Sequence, residues 1–238
     1  MQQQRDIGYL LHARDYRETS QLLDFFTLEH GRVRCVAKGI KNRKKEQRPT
    51  LFQPYLLAWA GAHDLKTLRS HEAAETAAVM TGTALFAGLY INELLMRLLP
   101  ELDPHPELYP EYQMALAAIA LNGDVEPGLR RFECNLLEAL GYAVSLSCDA
   151  DSGDQIGDQT FYRVVPDHGA IAVTDSQASR PDVYRGTDLL AIEAGDFSAA
   201  DYRRAAKRLL RQLIDHHLEG RQLHSRELFI QFKQGLAQ

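Results

Sequence analysis

The sequence predicts an α+β protein: a five-stranded barrel in the first third, then a mainly α-helical region with a small irregular hairpin insertion. Three observations lead there. Apolar residues recur with period two before residue 73 and with spacings of three and four after it. Turn residues punctuate the first segment at short intervals. A length of 238 residues suits one large or two small domains. The expected division is 1–80 for the barrel and 81–238 for the helical part, with 142–175 as the insertion. Apolar residues at 45% and charged residues at 25% exclude a disordered chain. Cys35, Cys134 and Cys148 are widely separated and contain no Cys-x-x-Cys, which argues against a disulfide framework. The longest apolar run, Met114 to Leu121, falls far short of the ~20 residues that span a bilayer. The first residues lack the apolar core of a signal peptide, so a cytoplasmic location is expected.

Strands are expected at 7–14, 21–27, 32–38, 51–59 and 65–71. In the third, Val33, Cys35 and Ala37 alternate with Arg32, Arg34 and Lys38, which predicts an apolar inner face and an exposed cationic outer one. Glu29-His30-Gly31 marks a turn, with Gly31 suited to positive φ. Pro54 suggests an edge or a bend in the fourth strand. Five short strands of this kind fit an OB-fold, the five-stranded barrel that binds oligonucleotides. Phe25, Phe26, Tyr55 and Trp59 read as core rather than as stacking platforms. Helices are expected at 83–99, 112–121 (stopped by Asn122-Gly123), 127–140, 187–193, 198–218 and 225–234. Pro100 to Pro110 breaks the pattern between the first two. A hairpin is expected from Phe161–Val165 and Ala170–Val173, and Ser198 to Asp201 fits a capping box.

The net charge of −5 conceals an asymmetry. Residues 1–80 hold 13 basic and 9 acidic residues, and residues 81–238 hold 14 and 23. Lys38, Lys41, Arg43, Lys44, Lys45 and Arg48 face only Glu46 in an 11-residue stretch that reads as a mobile loop. Clustered cations neutralise phosphates without reading sequence, so Arg32, Arg34 and these six are the candidate nucleic-acid contacts. The bland alternative is a solvated loop. Arg203, Arg204, Lys207, Arg208 and Arg211 form a stripe on the helix from 198. It is either a second basic patch or the solvated face of an amphipathic helix. Leu129, Arg130 and Arg131 could receive an acidic peptide with an apolar end, or Arg130 could pair locally with Glu126 and Glu133. Asp149, Asp151, Asp154 and Asp158 miss the EF-hand spacing and read as a solvated loop. His216-His217 points around its helix, which makes a poor ligand pair. Motifs of catalysis and nucleotide binding are absent from the sequence, and no enzyme is expected.

Taken in order, several segments resemble one family: Arg17-Glu-Thr-Ser20, Phe26-Thr27, Gly31-Arg-Val-Arg34, Val36-Ala-Lys-Gly39, Lys66-Thr-Leu-Arg-Ser70, Gly88 to Leu95, Leu129-Arg-Arg-Phe-Glu133, Leu140-Gly-Tyr142 and Ser225-Arg-Glu-Leu-Phe229. The family is the bacterial recombination and repair mediator RecO. The resemblance implies an OB-fold and a helical domain, binding of single- and double-stranded DNA, and a nucleoid-associated role. It implies annealing of complementary strands and help in loading RecA onto DNA coated by single-stranded-DNA-binding protein. It implies RecR as a partner, and docking of the coating protein's acidic, Phe-ended tail at Leu129, Arg130 and Arg131. Zinc-containing members carry two Cys-x-x-Cys pairs around 148–175. Here Cys148 stands alone with Asp151 at the next position, so no zinc and no other cofactor is expected. The rival reading is an RNA-binding OB module with a protein-interaction domain. A third is a metal-dependent enzyme built on the 149–158 loop.

Overall fold

The structure is a computed structural model that describes residues 3–121 and 123–236, without the side chains of Glu46 and Leu236. Asn122, expected to help stop the second long helix, lies outside the described residues. The chain falls into two compact units, residues 1–123 with 223–238, and residues 124–222.

In the first unit, β1 (Gln4–Tyr16), β2 (Ser20–Thr27), β3 (Gly31–Ala37), β4 (Pro54–Ala60) and β5 (Lys66–Ala73) close a barrel in the order β1-β2-β3-β5-β4. Each lies within a few residues of its expected position. Pro54 is neither at an edge nor in a bend. It opens β4, where its missing N–H costs the ladder nothing, and β4 pairs with both β1 and β5. Inward residues Leu10, Leu23, Phe25, Val33, Cys35, Leu57 and Trp59 form the core, as period two demands. Phe26 and Tyr55 are buried as well. The seam is short between β3 and β5, where only Cys35–Lys66 and Val36–Thr67 pair in parallel. The start of β3 therefore has a free edge, which the segment after the first helix covers. Leu102 donates its N–H to the Arg32 carbonyl at 2.9 Å. Gly31, at φ 64°, passes so close to Asp103 that a Cβ would meet the Asp103 carbonyl oxygen. Its lack of a side chain serves both the turn and this approach.

Helices α1 (Gly82–Leu98), α2 (Leu108–Leu121) and α6 (His224–Leu236) belong to the same unit. The sequence treats Pro110 as a breaker, yet it sits in the first turn of α2, where no N–H partner is needed. Asn92 of α1 is buried. Its Nδ2 donates to the Leu11 carbonyl, and its Oδ1 accepts from the Tyr112 hydroxyl. Glu93 receives the start of α6: its carboxylate accepts from the N–H of His224 at 3.1 Å and of Ser225 at 2.8 Å, and from the Ser225 hydroxyl at 2.7 Å.

The second unit contains α3 (Glu126–Ala139), α4 (Gly186–Glu193) and α5 (Ala200–His217). A three-stranded sheet ordered β7-β6-β8 is made of β6 (Phe161–Val165), β7 (Gly169–Val173) and β8 (Val183–Arg185). The three-residue β8 is too short to leave a periodic signal and was not expected. The capping box at Ser198 does not form. The Ser198 hydroxyl donates to Asp196, Ala199 occupies the cap, and Asp201 pairs with Arg204. The acidic stretch is not simply solvated. Asp149 is 6% exposed and accepts from the N–H groups of Asp151, Ser152 and Ala172, tying the loop to β7. The N–H of Ser152, above all, holds its carboxyl below the usual range.

Burial pushes the Glu93 carboxyl up, but the Ser225 and His224 donors and the Arg97 guanidinium outweigh it and leave the pKa lowered. A depressed carboxylate contributes stability that is full above its unfolded value, near 4.5, and is lost as pH falls through the folded value. Acid should therefore release α6 below about pH 4.5. In thermal melts from pH 3 to 6, Glu93→Gln should start less stable and lose less on acidification than the parent chain. Parallel melting curves would exclude Glu93 as the acid-sensitive anchor.

Candidate nucleic-acid interface

The outer face of β3 is not the exposed cationic surface that alternation predicts. Arg32 is 9% exposed. Its Nε donates to the Leu99 carbonyl at 3.1 Å, and its terminal nitrogens lie 3.7 Å from Asp24 and 3.6 Å from Glu101. Arg34 donates through Nε to Asp24 at 2.8 Å and contacts Glu101 through Nη1 at 2.9 Å. Burial lowers the Arg32 pKa, and Glu101 and Asp24 oppose the shift. Two arginines thus face two carboxylates. Beside them, Arg14, Leu22, Arg34, Asp64, Leu65, Glu101 and Leu102 line a cleft of about 560 Å³ of mixed charge. Asp24 and Glu101 are the residues that reading along the strand missed. Glu101 is remote in sequence, and its position follows only from the strap over the β3 edge.

The loop after β3, which the sequence reads as mobile, has a defined course in the structure. It makes two 3₁₀ turns, Ile40–Asn42 and Lys45–Gln47, and Ile40 inserts into the barrel core at 2% exposure. The Lys41 N–H donates to the Thr19 carbonyl, and its ammonium donates to the Arg17 carbonyl at 3.1 Å and sits 3.4 Å from Asp15. Hydrogen bonds from Gln21 and from Lys41 keep the Asp15 carboxyl below its usual range. Arg48 donates to the carbonyls of Lys41 and Arg43, folding the loop back on itself. Gln47 accepts at its carbonyl from His71 of β5, on the tautomer that protonates Nε2, at 3.0 Å.

Lys41 and Arg48 are therefore organisers. Lys38, Arg43, Lys44 and Lys45 are exposed, and among the described residues no carboxylate lies within ion-pair distance of any of them. Arg17, also exposed, is in the β1–β2 turn that Lys41 grips. In OB-folds that turn flanks the oligonucleotide-binding face, and this is the signal that could have picked out Arg17. The structure brings the loop and the turn together through Lys41.

In the second unit, Arg130 takes the local pairing. It is 5% exposed, with Nη2 3.0 Å from Glu133 and Nε 3.9 Å from Glu126, while Arg131 is exposed and Leu129 is at 9%. The stripe on α5 is spent on neighbours. Arg203 donates to the Phe197 and Ser198 carbonyls, and Arg204 pairs with Asp201. Lys207 reaches Glu126 at 2.7 Å. Arg208 donates to the Val183 carbonyl over the Tyr184 ring, and Arg211 lies 3.5 Å from Asp215.

These placements separate framework cations from free ones. Arg32→Ala leaves Asp24 and Glu101 undercompensated and should cost about 3 kcal/mol in chemical denaturation, the low end for breaking a buried ion pair. Lys44→Ala should change stability by less than about 0.5 kcal/mol. Equal effects would refute the division.

The chain matches two family models that follow one another along it: Recombination protein O N terminal over residues 1–77 and Recombination protein O C terminal over residues 80–227. It is 45% identical to a DNA repair protein RecO of Methylococcus capsulatus, over 94% of this chain and 92% of the relative. It is 44% identical to that of Pseudomonas aeruginosa strain PAO1 over 95% and 94%, and 42% identical to that of Salmonella paratyphi B over 94% and 93%. With both models matched in order and such identity over nearly the full length, the chain belongs to the RecO family.

Proposed function

We propose that the protein is a non-enzymatic mediator of DNA repair and recombination, with residues 1–80 as the nucleic-acid-binding domain and 81–238 as the helical, partner-docking one. A role in DNA repair follows from the family. The observation that carries the finer reading is the set of exposed cations on an anchored loop, Lys38, Arg43, Lys44 and Lys45, none of them ion-paired among the described residues, with Arg17 alongside. Positive charge held on a fixed surface binds the phosphate backbone of single or double strands by releasing counterions, whatever their sequence. The same charge lowers the repulsion between two approaching strands, which is all that annealing needs from the protein. Arg32 and Arg34 are engaged by Asp24 and Glu101 and are left out of the contact set; Lys41 and Arg48 set the loop's shape. The α5 stripe is left out, because each of its five cations already has a partner within the chain.

RecR and the tail of single-stranded-DNA-binding protein are the proposed partners, and loading of RecA onto coated strands the proposed outcome. For the acidic tail, α3 supplies Leu129 and the exposed Arg131, with Arg130 behind them in its pairing with Glu126 and Glu133. Arg131 makes the first contact in this reading.

Arg43, Lys44 and Lys45 changed together to Ala should weaken binding of single-stranded DNA and flatten the plot of log affinity against log salt by about 2, at roughly 0.7 per phosphate contact. An unchanged slope would remove the loop from the interface. Arg131→Glu should weaken binding of the acidic tail peptide at least tenfold, leave affinity for bare DNA intact, and slow annealing only on strands coated by the tailed protein. Undiminished peptide binding would move the docking site elsewhere.

A further inference from the structure

The last turn of α5 ends in two adjacent histidines whose rings, 82° apart with centroids 5.1 Å apart, converge on one carboxylate. Read along the sequence, neighbours on a helix diverge by about 100° and make a poor pair. Here the tip of the β6–β7 hairpin sits over the arc between them. His216 Nε2 is 2.9 Å from Asp167 Oδ2, and His217 Nε2 is 3.7 Å from Asp167 Oδ1. One donor atom from each residue lies within 4.8 Å of the other two. The His217 side chain is 9% exposed, and its Nε2 is buried with no hydrogen-bond partner among the described residues. Tyr142 stacks on the His217 ring at 3.8 Å and 7°, which fixes the direction of that nitrogen.

We propose that Asp167, His216 and His217 form a binding site for a transition-metal dication of the Zn²⁺ class, closed by a water molecule in the fourth position. Two imidazole nitrogens with one carboxylate oxygen suit Zn²⁺ and its neighbours, whereas Mg²⁺ and Ca²⁺ take oxygen donors. Tetrahedral bonds of about 2.1 Å place neighbouring donors roughly 3.4 Å apart; one donor atom of each residue already lies within 4.8 Å of the other two, so small rotations of the exposed Asp167 and His216 side chains, moving donors by no more than about 1.4 Å, would close the set. Asp167 at 61% and His216 at 49% exposure leave a way in from solvent.

The Asp6, Glu29 and His30 group is a useful contrast. Asp6 already accepts from the N–H of Ile7, the N–H of Glu29 and the His30 ring, so its oxygens are engaged by the fold. At Asp167 a buried ligand nitrogen is waiting. The proposal departs from the sequence-based expectation of a metal-free protein, and it uses none of the cysteines. A bound ion would tie the hairpin tip to the end of α5 and stiffen the second unit.

The test uses the full chain, stripped with a chelator and titrated with Zn²⁺ by calorimetry and with Co²⁺ by visible absorption. One equivalent should bind, raise the melting temperature and give Co²⁺ ligand-field bands without a thiolate charge-transfer band. Asp167→Asn and His216→Gln alter exposed side chains and so leave folding intact; each should weaken Zn²⁺ binding at least tenfold and abolish the thermal shift. His217→Ala should do the same, and the two exposed variants decide the matter should it fail to fold. Absence of binding in the parent chain, unchanged affinity in both exposed variants, or a thiolate band pointing to Cys148 would each overturn the assignment.

Discussion

The carboxylate of Asp24, 2% exposed on a barrel strand, sets the terms for the rest of the first unit. A buried charge of this kind is tolerated only when paired and hydrogen-bonded. Arg34 and Arg32 meet that need from β3, and their remaining nitrogens recruit Glu101 and the Leu99 carbonyl. The segment after α1 is thereby pinned along the β3 edge that β5 does not reach. Barrel closure and the attachment of the first helix are thus one event, organised by two positive and two negative groups. Because the cluster is close to neutral, it adds little to the field outside, and the positive surplus of residues 1–80 is concentrated in the loop.

What the sequence revealed follows from which forces are local. Apolar runs bounded by turn residues located all five strands, and in the third the period-two alternation also told the inward face from the outward one. It assigned Val33 and Cys35 to the core correctly. It could not tell that the outward positions 32 and 34 face another segment instead of water, because the covering residue, Glu101, comes from beyond the first helix. Ile40 was hidden for a related reason: one apolar residue in a cationic run carries no periodicity, yet its insertion gives the loop its course. The unexpected β8 is too short to carry a period, and α2 starts before Pro110 because a proline in the first turn of a helix gives up no hydrogen bond.

Arg130 and the histidine pair show the two sides of the same limit on α-helices. The partners of Arg130 are three and four residues away, so spacing alone could name Glu133 and Glu126. The partner of His216 and His217 is a hairpin tip 49 residues before His216. Helical geometry says only that the two rings leave the axis in different directions. It does not say that a third group will occupy the space where they meet again.

A single rule sorts the basic residues. Those that lie within strands or on helices beside acids, such as Arg32, Arg34, Arg130 and Lys207, are neutralised by the fold. On the loop after β3, Lys41 sits beside Asp15, but Lys38, Arg43, Lys44 and Lys45 meet no carboxylate among the described residues, because the loop is held mainly by backbone carbonyls and one apolar anchor. Arg48 and Lys41 donate to carbonyls, and Ile40 fills the core. This choice of restraint matters for binding an anion. A loop ordered by carboxylates would carry its own competing charge, whereas one ordered by carbonyl acceptors stays positive and already fixed. In the proposed role, phosphate would meet a backbone that has little conformational entropy left to lose, and more of the contact energy would remain as affinity.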